Sequence, residues 1–106
     1  MVNYGNSYVN NIIEEWKDYY FNYNKLKEIS NRDILNKDFN NKIKEIDKLL
    51  KVELDKVNLF YNQQIEKIYN NLDSLDLFKI SEECDKLRHY VLLNTMSIIK
   101  FIKRRN

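Results

Sequence analysis

Lys100, Lys103 and Arg104 stand at i, i+3 and i+4 near the end of the chain, a spacing that gathers three cations on one face of a helix. Such a face suits an anion carrying several charges, because each ammonium or guanidinium can give a charge-assisted hydrogen bond to a phosphate oxygen. Tyr23 and Lys27 stand at i and i+4. A phenol donor beside an ammonium suits a phosphate oxygen, and equally suits a Tyr packed along a Lys stem. The cations also have a second explanation. Basic side chains in the last turn of a helix are favoured by the macrodipole, which offsets the roughly 0.2–0.5 kcal/mol by which like charges at this spacing repel. Four cations in residues 100–105, with no acid among them, are more than a dipole requires.

The charge of the whole chain sharpens the contrast. Its net value is only +2, but residues 1–85 hold 12 basic and 16 acidic side chains, whereas residues 86–106 hold six basic ones and no acid. An extended polyanion such as nucleic acid needs a longer basic footprint than this, so no specific nucleic-acid partner is expected. Other chemistries are excluded by what is scarce. One glycine, Gly5, cannot build a phosphate-cradling loop or a dinucleotide-binding turn. One Cys and one His fall short of a zinc site. Cys84 and His89, five residues apart, point to different sides of a helix and make a poor nucleophile–base pair. Neither catalysis, nor a cofactor, nor a metal is expected. The lone Cys84 forms no internal disulfide, no apolar run reaches the 18–20 residues of a membrane span, and no signal-peptide core opens the chain. A cytoplasmic location is the expectation, or the cytosolic face of a membrane if the chain belongs to a larger membrane protein.

The elements that must position these residues all read as helices. The absence of Pro and the abundance of Lys, Glu, Leu and Ile suit helices with wet outer faces, and the 16 Asn lower the propensity only by tenths of a kcal/mol each. Tyr4, Tyr8, Val9 and Ile12 predict a first helix over about 3–13. Trp16, Tyr19, Tyr20, Tyr23, Leu26 and Ile29 predict a second over about 15–29, the two forming a hairpin. After the turn-forming run Ser30-Asn31-Arg32-Asp33, the stripe Phe39, Ile43, Ile46, Leu50, Leu54, Val57, Tyr61, Ile65, Ile68, Leu72 predicts a long helix over about 38–72. Its eleven-residue steps from Phe39 to Leu50, Tyr61 and Leu72 keep one face aligned along a nearly straight axis. Asp73-Ser74-Leu75-Asp76 breaks the pattern. Ile80, Cys84, Leu87, Val91, Ile98 and Ile102, widened by Leu92, Met96 and Ile99, then predict a last helix over about 79–105. The eight Tyr and five Phe read as core with hydroxyls at the rim. The expected fold is a single all-α domain over 1–106, a short N-terminal hairpin packed on two long antiparallel helices.

Three segments carry a resemblance to a known family. Asn3-Tyr4-Gly5 followed by the run Glu15-Trp16-Lys17-Asp18-Tyr19-Tyr20-Phe21-Asn22-Tyr23-Asn24-Lys25-Leu26-Lys27 resembles the opening hairpin of SPX domains, with its "FG" start, its "EW" and its "Y-x-x-Y-x-x-LK". Glu53-Leu54-Asp55-Lys56-Val57-Asn58-Leu59-Phe60-Tyr61 resembles the family's "E-L-x-K-V-x-x-F-Y". Leu93-Asn94-Thr95, with Lys100-Phe101-Ile102-Lys103-Arg104, is similar to its C-terminal signature. The three lie in the family's order and cover essentially the whole chain.

The resemblance implies a module that binds inositol polyphosphates and inositol pyrophosphates in phosphate homeostasis signalling, with the ligand where the hairpin meets the end of the last helix. It assigns Tyr23, Lys27, Lys100, Lys103 and Arg104 to the ligand, with Asn3 and Lys56 as candidates for its periphery. Asn3 replaces a usual Lys, Arg104 keeps the charge of a Lys with a planar fork, and the signature's final Lys has no counterpart up to Asn106. Binding weaker than usual in the family is therefore expected. A protein partner or attached effector domain would receive the signal. The alternative is a structural helical adaptor that makes protein–protein contacts, its basic end merely solvated.

Overall fold

The computed structural model describes residues 11–31 and 39–105. Among them there is no strand. A 3₁₀ segment over Glu14–Tyr19 leads to three α-helices, α1 (Tyr23–Asn31), α2 (Phe39–Asn70) and α3 (Leu77–Arg105), which pack together as an all-α bundle. At 1.5 Å per residue, α2 with its 32 residues and α3 with its 29 run about 48 and 44 Å. They are antiparallel, as the shared clusters show: Ile46 packs in the cluster of Phe101, while Phe60 packs in the cluster of Tyr90 with Ile68 against it. The turn between them is built from its own side chains. Asn71 Nδ2 donates to Lys67 O (2.7 Å) at the end of α2, and Asp76 Oδ1 accepts from Lys79 N (2.7 Å) at the start of α3.

The expected first helix over 3–13 lies almost wholly outside the described residues. Asn11 is helical, and by Ile13 the backbone is already extended. The expected continuous helix over 15–29 is not what forms. The chain makes a 3₁₀ turn, passes through Tyr20 with φ −79° and ψ 152°, and restarts at Tyr23. The cause lies far away in sequence. Phe21 N donates to Asn94 Oδ1 (2.6 Å) and Asn22 N donates to Glu53 Oε1 (2.8 Å), so both amides are satisfied by side chains of α3 and α2 rather than by carbonyls four residues back. Asn22 Oδ1 then accepts from Lys25 N (3.1 Å) and caps the new helix. An extended step sends successive side chains to opposite sides. Tyr20 accordingly enters one core cluster, with Trp16, Phe60, Leu87 and Tyr90, and Phe21 enters the other, with Leu26, Ile29, Ile46 and Phe101.

The buried face of α3 is also rotated from the stripe that its aliphatic residues predict. Leu87, Tyr90, Leu93, Asn94, Ser97 and Phe101 are buried, whereas Val91, Leu92, Met96, Ile99 and Ile102 are each more than 40% exposed and Cys84 faces solvent. On α2 the inward line passes through Ile46, Glu53 and Phe60, with Ile65 exposed, and Leu72, expected on the same stripe, is exposed in the turn beyond its end. The reason is the hairpin, whose aromatic rings need facing rings rather than an aliphatic seam. Trp16 stands edge-on to Phe60 (5.2 Å) and Tyr90 (5.8 Å), and Tyr19 stacks on Phe60 at 4.4 Å.

Candidate functional site

The hairpin reaches the C-terminal turn of α3 through a buried ring. Phe101 is fully buried and lies 6.4 Å from Phe21, in the cluster that also holds Tyr23, Leu26 and Ile29 of the hairpin. Lys100 and Lys103 flank Phe101 in sequence and are exposed. At the far end of α1, Arg104 Nη2 donates to Asn31 Oδ1 (2.6 Å), and Lys42 Nζ donates to Ser30 O (2.7 Å). Both cations thus sit at the C-terminus of α1, where the helix dipole favours them. A guanidinium has five N–H donors, and this hydrogen bond leaves Arg104, on an exposed side chain, with others directed elsewhere.

Of the residues assigned from sequence, Tyr23 and Lys27 are on α1 and Lys100, Lys103 and Arg104 on the adjoining turns of α3. The two elements that carry them pack together, Tyr23 sharing a core cluster with Phe101 and Arg104 bonding to Asn31. Lys27 is half-buried, and neither it nor Lys103 is ion-paired with a described residue. Tyr23 is only 4% exposed. Its ring belongs to the core, so its contribution to any ligand is confined to the hydroxyl end.

Lys56 lies deeper along α2. It forms an ion pair with Glu53 (2.7 Å) and shares with Tyr23, Asn22, Asn24 and Lys17 the lining of a cavity of about 250 Å³. Its position is therefore at the border of the junction, tied to a buried carboxylate. Asn3 lies outside the described residues.

The residues that sequence reasoning missed are those that hold the junction rigid. Asn94, 1% exposed, accepts from Phe21 N and donates through Nδ2 to Tyr90 O (2.7 Å). Glu53, 7% exposed, joins α2 to the start of α1. Both stand inside the segments quoted above, as the Glu of Glu53-Leu54 and the Asn of Leu93-Asn94. A polar residue amid an apolar pattern was the available signal. Tyr90 OH donates to Tyr19 O (2.7 Å), and Tyr20 OH accepts from Ile13 N (3.0 Å). Burial pushes the Tyr90 phenol far above its ordinary value, and it raises that of Tyr20 against the lowering effect of the Ile13 amide. Asn31 and Lys42, which bind the end of the hairpin, carry no pattern that marks them.

No helix of the described residues is long and apolar enough to cross a membrane. Compared with models of protein families, with curated proteins and with solved structures, the chain matches none.

Proposed function

We propose that this chain is a binding module for inositol polyphosphates and inositol pyrophosphates, of the SPX kind, that reports phosphate status to a protein partner or an attached effector domain and performs no catalysis itself. The observation that carries the reading is the junction. Lys27 lies on α1 and Lys100, Lys103 and Arg104 lie on the last turns of α3, and these two helices, remote in sequence, are joined by the burial of Phe101 and the Arg104–Asn31 hydrogen bond. Each charge-assisted hydrogen bond to a phosphoryl oxygen contributes about 1.5–3 kcal/mol. Four or five of them leave about −8 kcal/mol, a micromolar affinity, after the costs of association. An adaptor role is favoured by one other observation, the exposure of Leu92, Met96 and Ile99 along the outer face of α3.

Calorimetric titration with inositol hexakisphosphate, a pyrophosphorylated analogue and inorganic sulfate at two salt concentrations separates the two. The sensor reading expects saturable binding of both inositol ligands, weakened by salt and absent with sulfate. Lys27→Ala and Lys103→Ala should each reduce affinity about tenfold or more. No binding of the inositol ligands tighter than about millimolar defeats the sensor reading and leaves the adaptor.

A further inference from the structure

The outer side of α3 carries a row of apolar side chains that the fold leaves half-exposed. Val91, Leu92, Met96, Ile99 and Ile102 are each 41–53% exposed. The core does not use them, because Leu87, Tyr90, Leu93, Asn94, Ser97 and Phe101 make the inward face. At 3.6 residues per turn, Leu92, Met96, Ile99 and Lys103 fall within about 60° of one another around the helix. Five such side chains on adjoining turns form a patch on the order of a few hundred Å², near the largest that an ordinary monomer exposes.

Charge gives this row a direction. Lys103 continues it, Lys100 stands beside it, and both are exposed. Arg88, also exposed, lies 3.6 Å from Asp85 at the other end. Asp85 is the last acid of the chain. The row is therefore flanked by cations alone from Leu92 onward, while Glu82, Glu83 and Asp85 make the start of α3 acidic. Basic and apolar side chains together on one exposed helix face suit a boundary that is anionic at its surface and apolar beneath. Lysine stems lie along the apolar part while their ammoniums reach the charged one. The row also belongs to one helix, so it forms a ridge. A soft surface can take in a ridge, whereas a partner helix is received by a groove.

We propose that this face of α3 docks on an anionic lipid surface, with Leu92, Met96 and Ile99 entering the headgroup boundary and Lys100 and Lys103 among the headgroup anions. The contact is peripheral and shallow, since the row from Leu92 to Ile99 runs only about 10 Å. The acids before Leu92 are repelled by the same surface, so the C-terminal half of α3 makes the contact. The adaptor reading would set a protein against this row; the cations around it favour the lipid.

Co-sedimentation of the full chain with vesicles tests this, using phosphatidylcholine alone and phosphatidylcholine with about 30% phosphatidylserine. Serine headgroups carry no inositol phosphate, so the sensor reading does not predict the result. The chain is expected to sediment with the anionic vesicles, several-fold less in about 0.5 M salt, and little with the neutral ones. The triple variant Leu92→Ser, Met96→Ser, Ile99→Ser should bind anionic vesicles about tenfold less or weaker, while its thermal midpoint and its titration with inositol hexakisphosphate stay those of the parent. Phe78→Ser, at the acidic start of α3 and 86% exposed, should bind vesicles as the parent does. A chain that binds vesicles but no inositol hexakisphosphate upholds this proposal and defeats the sensor reading. The proposal is overturned by the absence of binding to anionic vesicles, by equal binding to neutral ones, or by a triple variant that binds as the parent does. It is overturned equally by a loss in Phe78→Ser as large as in the triple variant, or by a dimer of the parent that the triple variant abolishes, which gives the face to a second copy.

Discussion

Asn94 concentrates much of the fold's specificity in one amide. It is buried at 1% exposure between Phe21 N and Tyr90 O, and it forces the break between the 3₁₀ segment and α1. Asn94→Ala leaves both backbone groups without this partner and is expected to cost about 1–3 kcal/mol, measured by urea denaturation. The two buried tyrosines give a signature in alkali. Their phenols are raised above the ordinary value of 10.0 in the folded chain by burial, so above that value the unfolded chain gives up these protons more readily than the folded one. The stability they contribute is complete below pH about 10 and is lost as pH rises through the folded values. The thermal midpoint should therefore fall above pH about 10, more shallowly in Tyr90→Phe.

At the scale of elements, the hairpin decides which side of α3 is inside. A helix with Leu92, Met96 and Ile99 on one side and Tyr90, Asn94, Ser97 and Phe101 on the other could bury either face. The second is buried because it matches the rings of Tyr20 and Phe21 and accepts from the backbone amide of Phe21, which an aliphatic seam cannot do. The consequence is measurable. Phe101→Ala, which empties a fully buried site, should cost about 3–5 kcal/mol. Ile99→Ser, two residues away and 48% exposed, should stay within about 0.5 kcal/mol of the parent. A reversal of the two in denaturant melts contradicts the orientation of α3.

Across the whole molecule, α1 is joined to the last turns of α3 by Phe101 and Arg104 and to α2 by Lys42, so a ligand at this junction links elements that are remote in sequence. Binding to the folded state alone adds RT ln(1 + [L]/Kd), about 2.7 kcal/mol at a hundredfold excess over Kd. For a chain of this size that raises the thermal midpoint by about 10–20 °C. In Lys103→Ala the ligand-free midpoint should be unchanged, because the side chain is exposed and lacks an ion-pair partner among the described residues, while the ligand-induced rise should shrink. A mutant that lowers both equally has lost stability rather than a contact. The measurement is differential scanning calorimetry with and without inositol hexakisphosphate.

The all-α class, the two long helices, a break at 73–76 that the structure widens to 71–76, and the basic end of α3 were legible from periodicity and charge, because local spacing and local propensity determine them. The grouping of Tyr23, Lys27, Lys100, Lys103 and Arg104 was expected only from a resemblance, since nothing local links α1 to the end of α3. Three matters were decided by tertiary structure alone. The first is the division of the hairpin at Tyr20–Asn22, where Asn94 and Glu53 compete successfully for amides that a helix would otherwise use. The second is the rotation of α3, set by the rings it must meet. The third is the attachment of Arg104 to Asn31 and of Lys56 to Glu53. Each depends on pairs of residues far apart in the chain, and a one-dimensional pattern carries no record of which distant side chain an amide or a ring will find.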